Sequence, residues 1–294
     1  MPLSSVNSRV QSKTHKYGVE VPRSFKEAMA LDAKNGNDLW RKAYLKEMSQ
    51  VNIAFEYLAK GERAPEGWKK ASGHIIWDVK MDFTRKARWV KDGHRTAAPE
   101  SSSYAGVVSR ESIRIALTYA ALHGLPVVAA DIRNAYLSAP SSEKHFIICG
   151  PEFGEHEGCV ALIRRALYGG KAAGRDYWHY LRKIMHNDFG FQSSRGDPDV
   201  WFREARRADT NELYYEYVLL YTDDILCISD RAEDIIRGEI GKKFMLKEES
   251  IGPPSQYLGG SCRQCREACC FYWHVGTRPS KLYNSNLARL PPGS

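Results

Sequence analysis

The chain reads as an α+β protein, and three features of the sequence predict it. Helical and strand-like hydrophobic patterns alternate from residue 25 to residue 260 without a linker-like break. The strand-like segments read as mostly antiparallel, in hairpin-like pairs joined by short turns. A hydrophobic fraction of 43%, with 16 tyrosines and 7 tryptophans in 294 residues, supplies enough apolar surface for a packed core.

Taken in order, residues 1–24 form a polar leader in which Arg9, Lys13, Lys16 and Arg23 are set against one acid, Glu20. The leader lacks the apolar stretch of a signal peptide, and a transit peptide is the alternative to a solvated segment. Asp38–Val51 reads as a helix because Leu39, Ala43 and the run from Leu45 to Met48 fall at helical spacing. His74–Val79 alternates as a strand and Thr84–Val90 follows as a second, basic one that stops at Asp92-Gly93. Ser109 is placed to cap a helix over Ser112–His123, with Glu111 in the first turn and Gly124 and Pro126 closing it. Val127–Ala130 is a short apolar strand that delivers Asp131, and Val160–Ile163 is another that precedes Gly169-Gly170. A helix is expected over Gly174–Asn187. Two strands, Tyr214–Tyr221 and Ile225–Ser229, flank Thr222-Asp223-Asp224, and a helix over Ala232–Lys243 follows. From residue 261 to 294 the character changes to a cysteine-rich segment and a tail ending Pro291-Pro292-Gly293, giving zones 1–24, 25–260 and 261–294.

Charge is unevenly distributed. Residues 60–95 and residues 160–185 each carry an excess of five positive charges, although the whole chain carries only +8. Two concentrated basic zones suit a surface that neutralises phosphates, and two solvated basic faces are the plainer alternative. No apolar run approaches the ~20 residues that cross a bilayer, so no membrane partner is expected. Seven cysteines without a secretion signal read as reduced thiols of an intracellular protein, cytoplasmic or nuclear, rather than as a disulfide framework. Cys262, Cys265, Cys269, Cys270 and His274 offer soft ligands, but their spacing is not a close match to a zinc knuckle. A chance cysteine-rich strand pair is the simpler reading, and zinc is not expected.

The chemistry concentrates in three carboxylates. Asp223 and Asp224 adjoin between apolar strands, where like charges repel and desolvation is costly. An Asp-rich turn projecting into water would tolerate the pair, and a divalent cation would make it useful. Asp131 ends a second apolar strand, where a salt bridge or a helix cap is the alternative to a metal role, since Arg133 and Asn134 follow. One carboxylate at a strand end and a pair on a hairpin form the set that holds two metals ~3.5–4 Å apart.

Read in order, these segments resemble the copia-type LTR retrotransposon reverse transcriptases over roughly residues 25–260. Trp40, Ala43 and Glu47-Met48 are similar to the family's opening helix. Lys86-Ala87-Arg88-Trp89-Val90 is similar to its Lys-Ala-Arg-Leu-Val strand, and Tyr104-Ala105-Gly106-Val107-Val108 with Ser112-Ile113-Arg114 to its Phe-Ala-Pro-Val and Ser-Ile-Arg segment. The run from Asp131 to Leu137 is close to Asp-Val-Lys-Asn-Ala-Phe-Leu, and Leu167-Tyr168-Gly169-Gly170-Lys171 resembles Leu-Tyr-Gly-Leu-Lys. Tyr221-Thr222-Asp223-Asp224 stands for Tyr-Val-Asp-Asp, and Tyr257-Leu258-Gly259 for the Phe-Leu-Gly of the primer grip.

The resemblance implies a fingers-and-palm polymerase fold with a mainly antiparallel palm sheet. The implied activity is RNA-directed DNA polymerisation, in which a primer 3′-hydroxyl attacks a deoxynucleotide at two magnesium ions, or manganese, held by Asp131, Asp223 and Asp224. Lys80 and Arg88 would grip the triphosphate; a solvated basic strand is the alternative. The Tyr136 ring would lie under the deoxyribose and exclude a 2′-hydroxyl; otherwise it is a core tyrosine. Gly169 and Gly170 would let the backbone approach the template–nucleotide pair, and a plain turn explains them too. The implied partners are an RNA or DNA template–primer, deoxynucleotides and other segments of a retroelement polyprotein. Departures fall at Gly106, Gly170, Ala172 and Gly174, which bear on nucleotide and template contacts and leave the metal site untouched. Nothing after residue 260 resembles the remainder of the family's polymerase or its RNase H region, so a truncated copy is expected. The rival readings are a catalytically inactive nucleic-acid-binding remnant and another two-metal enzyme, such as a nuclease or nucleotide cyclase.

Overall fold

The computed structural model describes residues 15–99, 102–258, 260–264 and 271–275. Its helices and mainly antiparallel sheets are those of an α+β protein, as the sequence predicts. The chain divides into two compact units, one of residues 1–105 and 134–183 and one of residues 106–133 and 184–294, where the sequence reading treats 25–260 as one domain. Among the described residues no helix is long and apolar enough to cross a membrane.

The first unit is built on a four-stranded sheet ordered Phe55–Tyr57, Val160–Arg165, Pro140–Ile148, Lys69–Lys70, and on a hairpin pairing Gly73–Val79 with Arg85–Lys91. Alternation decides the hairpin's orientation: Ile75, Trp77, Val79, Ala87 and Trp89 are buried, whereas Ile76 and Arg88, which face each other in register, are exposed. The helix expected at 38–51 runs Leu39–Val51 and packs on the basic strand, with Glu47 Oε1 accepting a hydrogen bond from Trp89 N at 2.9 Å. An earlier helix, Phe25–Asn35, is absent from the sequence reading. Its start is capped by the Ser24 hydroxyl, which accepts from Glu27 N, and Gly36 ends it in the left-handed conformation. Residues 15–20, placed in the polar leader by sequence, form a small hairpin whose Lys16 ion-pairs with Asp78 at 2.5 Å, while Val19 and Val21 pack on the core. The helix expected at 174–187 spans Ala173–Asn187.

The second unit is organised by a five-stranded antiparallel sheet ordered Gln192–Ser193, Val200–Arg206, Leu213–Tyr221, Asp224–Ile228, Val127–Asp131. The central strands are apolar on both faces and wholly buried at Val218, Leu219, Leu226, Cys227 and Ile228. Helix Arg110–Leu122 lays Ile113, Ala116, Leu117 and Ala120 against Leu219, Leu226 and Ile228. Ser109 caps it as expected, accepting from Ser112 N. The helix expected over 232–243 is irregular: Ala232–Asp234 is α-helical, Ile235–Glu239 widens into a π turn and Ile240–Lys242 tightens into a 3₁₀ turn. Glu239, at the end of the wide turn, pairs with Arg203 at 3.0 Å and Arg231 at 3.1 Å. Both arginines also clasp Glu216, which is wholly buried and accepts from Ser229 Oγ at 2.9 Å.

Among the described residues three thiols are free and buried, Cys149 and Cys159 in the first unit and Cys227 in the second. Of the cysteine cluster, Cys265, Cys269 and Cys270 lie outside the described residues. Cys262 and His274 lie on the paired strands Gly260–Gln264 and Phe271–Val275.

Candidate active site

The five-stranded sheet carries the acidic residues at one end. Val127–Asp131 is drawn into the sheet by its apolar residues, and its register with Asp224–Ile228 sets Asp131 directly opposite Asp224. Side chains alternate between faces, so directly paired residues project to the same side of the sheet. Asp223 sits in the two-residue turn Thr222-Asp223 that joins Tyr221 to Asp224. Thr222 adopts φ 54°, a conformation that a β-branched residue rarely takes and that a two-residue hairpin requires. The sequence reading put Asp224 in the turn; it is the first residue of the strand, and this is what pairs it with Asp131. Ile132 N donates to Asp223 O at 2.8 Å and ties the turn to the Asp131 strand.

The outer side of Val127–Asp131 is covered by residues 245–252. Ile132 bridges to Leu246 and Ala129 to Gly252, while Arg133 N donates to Met245 O at 2.7 Å and Lys247 N to Asp131 O at 2.9 Å. Asp131 N donates to Ser250 Oγ at 2.9 Å. This covering segment brings Lys247 Nζ into an ion pair with Asp131 Oδ1. The approach does not have hydrogen-bonding geometry, and the buried Oδ1 accepts no hydrogen bond.

The electrostatics follow from crowding. Burial, then the charges of Asp223 and Asp131, push the Asp224 carboxyl up to about 6, and Lys247 opposes the rise only in part. Among the described residues no three His, Cys, Asp or Glu side chains are drawn together into a finished metal cage. Asp131 is engaged by Lys247. The donor set nevertheless fits a hard divalent cation. It offers carboxylate oxygens only, one of them buried without a hydrogen bond, and a carboxyl whose proton a cation would expel.

Of the residues expected to contact a nucleotide, four lie together in the first unit. The Arg88 guanidinium lies 5.1 Å from the centre of the Tyr168 ring, and Tyr136 meets the same ring at 4.9 Å. Gly169 and Gly170 follow Tyr168 directly. Gly169 has φ +82°, and a Cβ there would come within 2.2 Å of Lys91 O; a Cβ on Gly93 would meet Gly169 O at 2.0 Å. The two glycines thus allow one backbone segment to lie against another, with Lys91 N donating to Tyr168 O at 2.8 Å. Lys80 is not in this group: it is exposed at the hairpin's turn, its N–H donating to Thr84 O. Tyr136 is half-buried and also contacts the buried Tyr177, so it takes part in packing whatever else it does.

Sequence reasoning missed Lys247, Ser250 and Tyr168 as site residues. Tyr168 was visible in the Leu-Tyr-Gly-Gly-Lys run; Lys247 and Ser250 carried no local signal, because only the sheet brings them to Asp131. It also missed a buried charged group in the first unit, where Lys91 Nζ donates to Glu143 Oε2 at 2.8 Å and contacts His145 Nδ1 at 2.9 Å. This group adjoins a cleft of about 430 Å³ lined by Lys69, Glu143, Lys144, His145 and Arg175 among others.

Against known families, residues 63–272 match the model of the reverse transcriptase (RNA-dependent DNA polymerase) family. Among curated proteins, the Transposon Ty1-LR2 and Ty1-ML2 Gag-Pol polyproteins of Saccharomyces cerevisiae are each 25% identical to it over 194 residues. Each alignment covers 64% of this chain and 10% of the polyprotein. The chain spans about a tenth of the length of these relatives.

Proposed function

The chain belongs to the reverse transcriptase (RNA-dependent DNA polymerase) family, and from that premise we propose that it extends a primer on an RNA or DNA template by two-metal nucleotidyl transfer. The observation that carries the reading is the register that sets Asp131 opposite Asp224 with Asp223 in the adjoining turn. In this reading the five-stranded sheet is the palm and the first unit supplies the fingers. Asp131, Asp223 and Asp224 would hold two magnesium ions. Bound there, the ions would lower the pKa of the primer 3′-hydroxyl and neutralise charge on the reacting phosphate.

The chain's own residues set the conditions. Asp224 serves as a ligand only when ionised, so the ligand set fills as pH rises through about 6, and earlier when a cation competes for the proton. The Thr222-Asp223 turn and the hydrogen bond from Ile132 N to Asp223 O keep the acids at the sheet end instead of in open solvent. Arg88 would donate its fork to the triphosphate, with Lys80 as a further cation. Tyr136 would bar a 2′-hydroxyl, and Gly169 and Gly170 would line the nucleotide's approach. Segments of the parent polyprotein are the expected partners, as the two relatives are Gag-Pol polyproteins.

Primer extension with the purified chain and its Asp223→Asn variant tests the proposal. The wild type is expected to extend a primer in magnesium and the variant to lose extension while keeping primer–template binding, because transition-state stabilisation worth several kcal/mol is removed. Substantial extension by the variant sinks the assignment. Binding without extension by the wild type indicates a non-catalytic remnant, and degradation or cyclisation a different two-metal enzyme.

A further inference from the structure

Lys247 is a cation built into the carboxylate group by the fold, and nothing in the reaction outlined above uses it. Its backbone is fixed on both sides: its N–H donates to Asp131 O at 2.9 Å, and its own carbonyl accepts from Ser250 N at 2.8 Å and Ser250 Oγ at 2.6 Å. Ser250 Oγ in turn accepts from Asp131 N, so Lys247 and Asp131 are held by one small hydrogen-bonded frame. The side chain ends on Asp131 Oδ1 and is about one-third exposed. The frame fixes the backbone from which the side chain extends, and its ammonium meets one oxygen of one acid.

We propose that Lys247 is the site's resident counter-ion: its ammonium occupies Asp131 before a divalent cation arrives and must release it for the cation to bind. Three observations support this. Asp131 stands opposite Asp224 with Asp223 in the adjoining turn, so three carboxylates crowd one end of the sheet, and Lys247 brings a positive charge into contact with one of them. It meets Asp131 through one ammonium on one carboxylate oxygen, a contact that a divalent cation of higher charge can replace. And the acid that Lys247 engages, Asp131, is one of the three that the metal reading needs. A monovalent ammonium on a flexible stem stabilises the metal-free fold and, by the same contact, opposes metal entry. Lys247 is therefore a positioning residue for Asp131, and its removal should move metal affinity and metal-free stability in opposite directions.

The inference rests on the metal reading of the three acids, and the test separates the two. Manganese binding to the full chain is measured by calorimetry for wild type, Asp224→Asn, Lys247→Met and Lys247→Arg, alongside thermal melts in chelator. Loss of binding in Asp224→Asn places the ion at the acids. Lys247→Met is then expected to bind manganese about three- to tenfold more tightly while melting at a lower temperature in chelator, with Lys247→Arg close to wild type. In the wild type, manganese should also speed acetylation of the Lys247 amine, read by mass spectrometry, a measurement that needs no variant to fold. Binding in Lys247→Met that equals or falls below the wild type, or acetylation unmoved by manganese, overturns the role of Lys247 alone. Absence of manganese binding in the wild type, or binding untouched by Asp224→Asn, overturns the metal reading and this inference with it.

Discussion

Asp224 bears the electrostatic cost of the acidic group. An unfolded aspartate titrates near ~3.9, whereas folding carries this carboxyl up to about 6. Between those values the folded chain binds more protons than the unfolded one, so this residue's contribution to stability falls as pH rises across that window. Asp224→Asn removes the charge and should therefore raise metal-free stability above pH 6 by about 1–2 kcal/mol, a figure reduced for solvent screening of a half-buried group. Melts in chelator at pH 7.5 and 4 check this: the gain should be a few degrees at the first and near zero at the second. Tyr136 poses a different question, since its ring packs on Tyr168 and Tyr177. If it also bars a 2′-hydroxyl, Tyr136→Ala should raise ribonucleotide over deoxyribonucleotide incorporation by roughly tenfold or more, because steric exclusion relaxes when space opens. An unchanged ratio in an active variant would return the residue to packing alone.

At the scale of elements, the sheet of the second unit is cross-braced by charge. Glu216 projects from strand Leu213–Tyr221 into full burial and is met by Arg203 of the neighbouring strand and by Arg231. Burial raises its carboxyl, but hydrogen bonds from Arg231 and Arg203 outweigh that and hold it below the ordinary range. Its contribution is complete above the unfolded value and disappears as pH falls through the folded one. Glu216→Leu should cost on the order of 3 kcal/mol at pH 7, since two arginines lose their buried partner and keep only the less buried Glu239, and less near pH 3; urea unfolding at the two pH values measures it. Three of the sheet's five strands, Val127–Asp131, Leu213–Tyr221 and Asp224–Ile228, were legible from apolar runs and turn residues, and so were the helix capped by Ser109 and the hairpin carrying Asp223; Gln192–Ser193 and Val200–Arg206 were not read. The π turn at Ile235–Glu239 was not; there Glu239 pairs with Arg203 of a distant strand as well as with Arg231 just before the helix. The cap at Ser24 with Glu27 and Gly36 was readable and went unread.

For the molecule as a whole, charge and acid chemistry are divided between the two units. The Lys and Arg residues of both basic zones belong to the first unit, and Asp131, Asp223 and Asp224 to the second. Part of that basic excess is spent internally: Arg164 pairs with Glu56 at 2.6 Å, Arg175 with Asp176 at 2.8 Å, and Lys91 with Glu143. The exposed remainder beyond Lys80 and Arg88, Lys69 and Lys70 among it, should carry template–primer binding. Neutralising about four phosphates would make affinity fall on the order of a hundredfold between ~50 and ~200 mM salt, which a fluorescence titration resolves. A flat salt response would return the basic zones to solvated faces. The sequence exposed the acids and the cations because each lies in a short run with its own pattern. It could not expose Lys247 at Asp131 or Arg88 on Tyr168, since those pairs meet only once distant strands are placed side by side.

The buried thiols give each unit its own clock. Burial, with Cys159 and Glu152 nearby, pushes the Cys149 thiol up to about 12, and full burial raises that of Cys227 further. Neither is a nucleophile while its surroundings are closed. A pulse of alkylating reagent therefore marks Cys149 only in molecules whose first unit has opened, and Cys227 only in those whose second unit has. Digestion and mass spectrometry then count the two populations in one sample, so the order in which the units give way under denaturant can be read from the unmodified chain, without engineered probes.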